Sequence, residues 1–377
     1  MGKLMAVKDS KLGHIAVNVC LVVVSIAATL LLIEVGLRLT SHPLLKSAYG
    51  PWQVANYESL IYFHNASRPA ERPPKWFHAT RGWTDFTIQR GPDEYLIEDP
   101  SGASWQETQR IQHVPYAKTR RRVILIGDSF IYGWKVRWDE TIDRFLSMRL
   151  GGEFEVINLG TRGYGLDQTL LVANEVIPQF SPDDVVVGFI ALDLERSCES
   201  FSSLTAVAKP KFEFIDGRLV WPRPVPTPYE NYLVHRKRQT LDAVLAKLYS
   251  VRVLALAMGP FLRWAREPCI GKLNAELLRS LMNDTPQKTR VHLIHLDGVL
   301  PTEFAAEMTA LNVPYYSAPA DIAATAQALG VTPDKHADGH PKAGLNAIYA
   351  YMIYKILSST PSVVPSTGAV SEPLRSN

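Results

Sequence analysis

Apolar residues fall into blocks of different rhythm along this chain, and the rhythm predicts the elements. From Ile15 to Ile33 no charged residue occurs over 19 positions, about 28 Å of helix, close to the hydrocarbon core of a bilayer. Residues 42–118 are rich in Trp, Tyr, Pro and Arg without a sustained helical period. They are expected to be extended segments and loops wrapping the main domain. At Arg122 the pattern changes to the short β-branched run Val123-Ile124-Leu125-Ile126, closed by Gly127, which predicts a strand buried on both faces. A helix at about Asp139 to Leu150, a strand at Phe154 to Asn158, a helix near Leu166 to Phe180 and a strand at Asp184 to Ala191 follow from the same reading. Strands alternating with helices specify an α/β fold, a parallel sheet covered by helices on both faces.

Between about residues 200 and 260 the alternation breaks. Lys211 to Val220 reads as a hairpin turning at Asp216-Gly217, followed by a Pro-rich loop and a helical stretch. We read this interval as an insertion bordering the functional site. The α/β rhythm then resumes: a helix near Asn274 to Met282, a strand at Val291 to Leu296, a helix around Glu303 to Leu311, a short strand near Val313 to Ser317, and a last helix from Pro341 to about Leu357. The resulting division is a cytoplasmic N-terminus over 1–14, a transmembrane anchor over 15–37, the wrapping segment 42–118, a main domain over 119–360, and a Pro/Ser/Thr-rich tail over 361–377 expected to be disordered.

Charge orients the anchor. Lys3, Lys8 and Lys11 precede the span and Arg38 closely follows it, so the positive-inside rule keeps the N-terminus in the cytoplasm and places the main domain outside the cytoplasmic membrane. The apolar run continues into Glu34, Val35 and Gly36 without a small-x-small cleavage site, which favours an uncleaved anchor over a removed signal peptide. The formal net charge of +3 gives no nucleic-acid footprint. Of the three cysteines, Cys20 lies in the span. Cys198 and Cys269 either pair in an oxidising compartment or are two buried thiols. No Cys/His cluster argues for a metal, and no cofactor is called for.

The candidate chemistry begins at Ser129, in Gly127-Asp128-Ser129-Phe130, at the carboxyl end of the first core strand, where open α/β sheets bind ligands. Taken alone, such a serine is as readily a helix cap. The α/β-hydrolase elbow GxSxG is not met, because Ile131 stands at the second glycine position. His340, in Asp338-Gly339-His340-Pro341, supplies what a serine nucleophile needs, a base to accept its proton and a carboxylate beside it to orient the imidazole.

These blocks resemble the GDSL/SGNH hydrolases. Ile126-Gly127-Asp128-Ser129-Phe130 is similar to the family's first block, Asn158-Leu159-Gly160-Thr161-Arg162-Gly163 to its second, and Asp338-Gly339-His340-Pro341 to its last. The resemblance covers roughly residues 120–360. It implies a three-layer α/β/α flavodoxin-like fold, a Ser129, His340 and Asp338 triad, and an oxyanion hole made by the amides of Ser129 and Gly160. The third block departs: where the family presents an Asn as a further oxyanion donor, this chain has Leu192, with Arg162 and Arg196 as candidate replacements. The Asp-x-His spacing is also similar to that of exopolysaccharide O-acetyltransferase relatives. The expected function is therefore a serine esterase acting on an O-acyl ester of an envelope carbohydrate or lipid. The alternatives are O-acyl transfer to an extracellular polysaccharide and, because of Leu192, a weakly active or inactive envelope binding protein. Tyr132, Trp134 and Trp138 follow the serine and are either pocket lining or core.

Overall fold

The computed structural model describes residues 21–22, 24–26, 28–36, 39, 72–99, 111–202, 207–215, 218–230 and 269–359. The anchor expected over 15–37 falls partly outside these residues; its described part, from Leu21 to Gly36, is helical. Among the described residues no helix is long and apolar enough to cross a membrane. The Asp216-Gly217 turn and the tail after Ser359 also lie outside them.

The apolar run at 123–126 forms the centre of β6 (Arg121–Gly127). It sits in a parallel sheet with β7 (Phe154–Asn158), β8 (Asp184–Ile190), β13 (Arg290–Asp297) and β14 (Tyr316–Ser317), in the order β14-β13-β8-β6-β7. Counted along the chain this is the order 2-1-3-4-5 of flavodoxin-like sheets, whose direction of winding reverses between the first and third strands. Alternate residues of β6 feed two cores. Ile124 and Ile126 pack with Leu166–Phe180 (α3) and Asn274–Asp284 (α5) on one face. Val123 and Leu125 pack with Ile142–Leu150 (α2) and Ala343–Ser359 (α8) on the other. The side-chain period of two in a strand is what splits one apolar run between two layers.

The segment before β6 holds short antiparallel strands. β1 (Phe77–His78) pairs with β2 (Gly82–Trp83), and β3 (Thr87–Arg90), β4 (Glu94–Glu98) and β5 (Ile111–Pro115) form a second sheet. Trp83, Phe86, Ile97 and Val114 of this region join the first core, so it buries apolar surface against the domain rather than standing apart.

In the inserted stretch, β9 (Phe201–Ser202) pairs with β10 (Val207–Ala208) and β11 (Glu213–Ile215) with β12 (Arg218–Val220), all antiparallel. Its ends are joined by a disulfide between Cys198 and Cys269, 71 residues apart. Such a crosslink withdraws loop entropy from the unfolded chain. Replacing both cysteines by Ser is expected to cost about 2–4 kcal/mol, read as a lower urea midpoint that reductant reproduces in the native chain. Equal midpoints for the double variant and the oxidised native chain would rule this out.

Candidate active site at the carboxyl edge of the sheet

Ser129 stands two residues beyond the end of β6, next to the point where the winding reverses. Gly127 has φ +154° and Gly188 of β8 beside it, and a Cβ there would run into the Gly188 carbonyl and the Ile131 side chain. Only glycine lets the two strand ends close so tightly. Asp128 then caps the four-residue helix Ser129–Tyr132 (α1), accepting from the Phe130 amide at 2.9 Å. Ser129 thereby begins a helix, with its hydroxyl side chain at the strand edge and its N–H among the orphan donors of the first turn.

The turn before α8 delivers the partner. His340 Nε2 lies 2.9 Å from Ser129 Oγ, across 211 residues of chain. Asp338 Oδ2 lies 3.2 Å from His340 Nδ1, close but off the line of a hydrogen bond, so that Nδ1 has no such partner among the described residues. Lys135 Nζ contacts the same Asp338 oxygen at 2.5 Å. Burial works to raise the Asp338 carboxyl, but Lys135, the His340 ring beside it and the His340 amide, which donates to Asp338 Oδ1 at 3.4 Å, outweigh it and hold it down at about 2. His336, the other histidine of the turn, donates its amide to the His340 carbonyl at 2.8 Å and so braces the turn.

A buried charge cluster lies under the serine. Asp128 also accepts from Ser129 Oγ at 3.2 Å and from Arg196 Nη1 at 3.3 Å, and Arg196 Nη1 reaches Asp193 at 2.7 Å. Burial pushes both carboxyls up, Asp193 further because Asp128 faces it, while the single guanidinium pulls both down. The Ser129 proton has two acceptors in reach, and the imidazole is the nearer.

The expected oxyanion donors divide. The Ser129 amide has no acceptor among the described residues, whereas the Gly160 amide donates to Asn158 Oδ1 at 2.9 Å. An oxyanion at Gly160 would have to displace that side chain, which is itself held by Ile131 O and Asp143. Gly160 serves packing instead: a Cβ there would collide with the Tyr132 amide and Ile131. Gly160→Ala should cost about 1–3 kcal/mol by overpacking, visible as a lower melting temperature; an unchanged one would show that α1 can shift. In the same loop Thr161 N donates to Gly127 O and Arg162 N to Asp85, while the buried Gly163 amide has no acceptor among the described residues. Its lack of an acceptor is a product of the turn's path and has no sequence signal beyond the glycine itself.

Leu192, at the third-block position, is 36% exposed on Ala191–Arg196 (α4). Neither arginine proposed to replace the missing Asn is free: Arg162 forms a forked pair with Asp85, and Arg196 holds Asp128 and Asp193. Tyr132 is buried and donates to Asp99, and Trp138 carries the Arg144 guanidinium on its ring, so both are structural; Trp134 packs beside Arg162 at the half-exposed rim. A small cleft lined by Asp85, Asp99, Gln112, Tyr132 and Asn158 lies behind α1 and includes neither Ser129 nor His340. No group of residues able to hold a metal occurs among the described residues.

No protein-family model matches the sequence, and no curated protein matches it. Among solved structures the chain is similar to a member of the lipolytic G-D-S-L family from Veillonella parvula, at 9% identity over 63% of this chain and 99% of that one, with TM-score 0.36. It is similar also to a carbohydrate acetylesterase from Sinorhizobium meliloti (14%, 64% and 99%, TM-score 0.32) and to a psychrotrophic esterase from Pseudoalteromonas sp. inhibited by monoethylphosphonate (11%, 64% and 98%, TM-score 0.34).

Proposed function

We propose that this chain is a serine esterase of the GDSL/SGNH type, acting on an O-acyl ester of an envelope carbohydrate or lipid. The observation that carries the reading is the 2.9 Å contact between Ser129 Oγ and His340 Nε2, made by residues 211 apart at the carboxyl edge of a parallel sheet. In the proposed reaction His340 Nε2 takes the hydroxyl proton as Oγ bonds to the acyl carbon. The imidazolium then gives that proton to the departing alkoxide, and a water repeats the sequence to free the acid. Asp338, two residues from His340, balances the imidazolium. The developing oxyanion would be met by the amides of Ser129 and Gly163, which have no acceptor among the described residues, with Leu192 contributing no donor. Donors preorganised in this way typically contribute about 3 kcal/mol each.

The charge-free run at 15–33, the lysines before it and the disulfide between Cys198 and Cys269 support an anchored chain whose main domain faces an oxidising, extracytoplasmic space. Trapping with a serine-directed phosphonate tests the chemistry. Mass addition at Ser129, absent from Ser129→Ala, is expected; an unlabelled Ser129 in folded protein would end the esterase reading. Adding acceptor sugars during turnover separates hydrolysis from transfer, since a transferase passes the acyl group to the sugar faster than to water.

Because the Asp338 carboxyl is held down at about 2, its ionised form persists above that pH and is lost only as pH falls through it. The acid limb of kcat/KM is therefore expected to carry no contribution from Asp338 between pH 4 and 9. A second limb inside that range would count against Asp338 as the partner.

A further inference from the structure

Three described residues other than glycine have a left-handed backbone: Lys135, Ser181 and Asn312. Ser181 caps α3, and Asn312 follows the helix Thr302–Ala310 (α6) within two residues. Such a conformation is ordinary where helices end. Lys135 lies instead in the turn between Gly133, which already closes α1, and the 3-10 turn at Trp138–Glu140. A strained residue of this kind persists where its surroundings hold it, and that calls for a reason.

The reason lies at its tip. Lys135 Nζ sits 2.5 Å from Asp338 Oδ2, the oxygen that also faces His340 Nδ1 at 3.2 Å. Lys335, at the other end of the same turn, pairs with Asp297 at the end of β13. The turn carrying His340 is thus tied down on two sides, by Lys135 from the loop after α1 and by Asp297 at the end of β13. Both members of the Lys135–Asp338 pair are more than a third exposed, and exposed pairs add little to folding stability. Its consequence is local.

We propose that Lys135 is a positioning residue of the proposed esterase, fixing the Asp338 carboxylate beside His340 while sharing the oxygen that the imidazole would otherwise hold alone. The inference rests on the reading of Ser129 and His340 given above. Its ammonium opposes a second positive charge beside Asp338, and it is the neutral imidazole that can take the Ser129 proton. The groups around His340 are few. Asp338 and His336 share its turn, Asp128 lies beneath Ser129 with Arg196 and Asp193 behind it, and the Phe130 ring, 5.7 Å away, is uncharged.

The test uses Lys135→Gly in the full chain, since glycine adopts the left-handed backbone without strain and only the ammonium and its stem are lost. The acid limb of kcat/KM should move up, with KM little changed, and Lys135→Arg should return it toward the wild-type position. A Lys135→Gly limb that coincides with wild type overturns the proposal, and so does an Arg variant that behaves like Gly. If wild type hydrolyses no ester, the esterase reading falls separately. NMR titration of the His340 ring in the same three proteins still decides the effect of Lys135 by the same shift.

Discussion

Ser129→Ala is expected to lower the proposed ester turnover by about 10⁴- to 10⁶-fold, the loss typical when a nucleophile is removed. His340→Ala will match it closely, and the double variant will be scarcely worse, because the two residues act as a unit. The fold has little reason to respond. Ser129 is the first residue of α1 and not its cap; Asp128 does the capping, from a carboxylate that the substitution leaves in place. Alanine is a good helix former and fills nearly the same volume in a site 4% exposed. Turnover of p-nitrophenyl acetate and longer esters by the three proteins, beside their melting temperatures, checks this. Retention of a tenth of wild-type activity by Ser129→Ala would assign any observed turnover to another group.

The second large effect belongs to Arg196, and it is on stability. Its side chain is 21% exposed, while those of Asp128 and Asp193 are 0% and 3% exposed. Arg196→Met leaves two buried carboxylates facing each other without a counter-charge. Removing one partner of a buried ion pair typically costs about 3–5 kcal/mol, much more than the loss of an exposed one. The pH dependence has a definite sign. Burial raises both carboxyls and Asp128 raises Asp193 further, and without Arg196 both rise more. A folded state that binds more protons than the unfolded one loses stability as pH increases. The deficit of Arg196→Met should therefore be larger at pH 8 than at pH 5, measured as urea midpoints of both proteins at each. A loss below about 1 kcal/mol at both values would mean that water reaches the cluster and screens it. The same variant should impair catalysis, because Asp128 carries the cap that presents Ser129.

The parallel core was legible because its signals are local. Val123 to Ile126 is too short and too β-branched for a helix, and the helices at 166–180 and 274–284 show a clear apolar period. Other elements left weaker marks. The helix Ile322–Leu329 (α7) was missed, since six of its eight residues are Ala, Thr or Gln and only Ala326 is buried. The strands β1 to β5 are two to five residues long and were expected only as extended chain. Their pairing depends on partners that periodicity does not name.

Two blocks more than two hundred residues apart, Gly127-Asp128-Ser129 and Asp338-Gly339-His340, marked the candidate nucleophile and base through residue type and placement alone, at a strand end and before a helix. Sequence could go that far because strand ends and helix starts are set by near neighbours. Which backbone N–H is left without an acceptor, where Arg162 and Arg196 spend their donors, and that Lys135 reaches Asp338 were decided by tertiary structure. Each depends on a distance between groups remote in the chain, and a hydrogen bond changes from made to absent within about an ångström. Asn158 illustrates this: its identity is plain in the sequence, yet only the path of the loop after β7 turns its side chain onto the Gly160 amide and leaves that of Gly163 without an acceptor among the described residues.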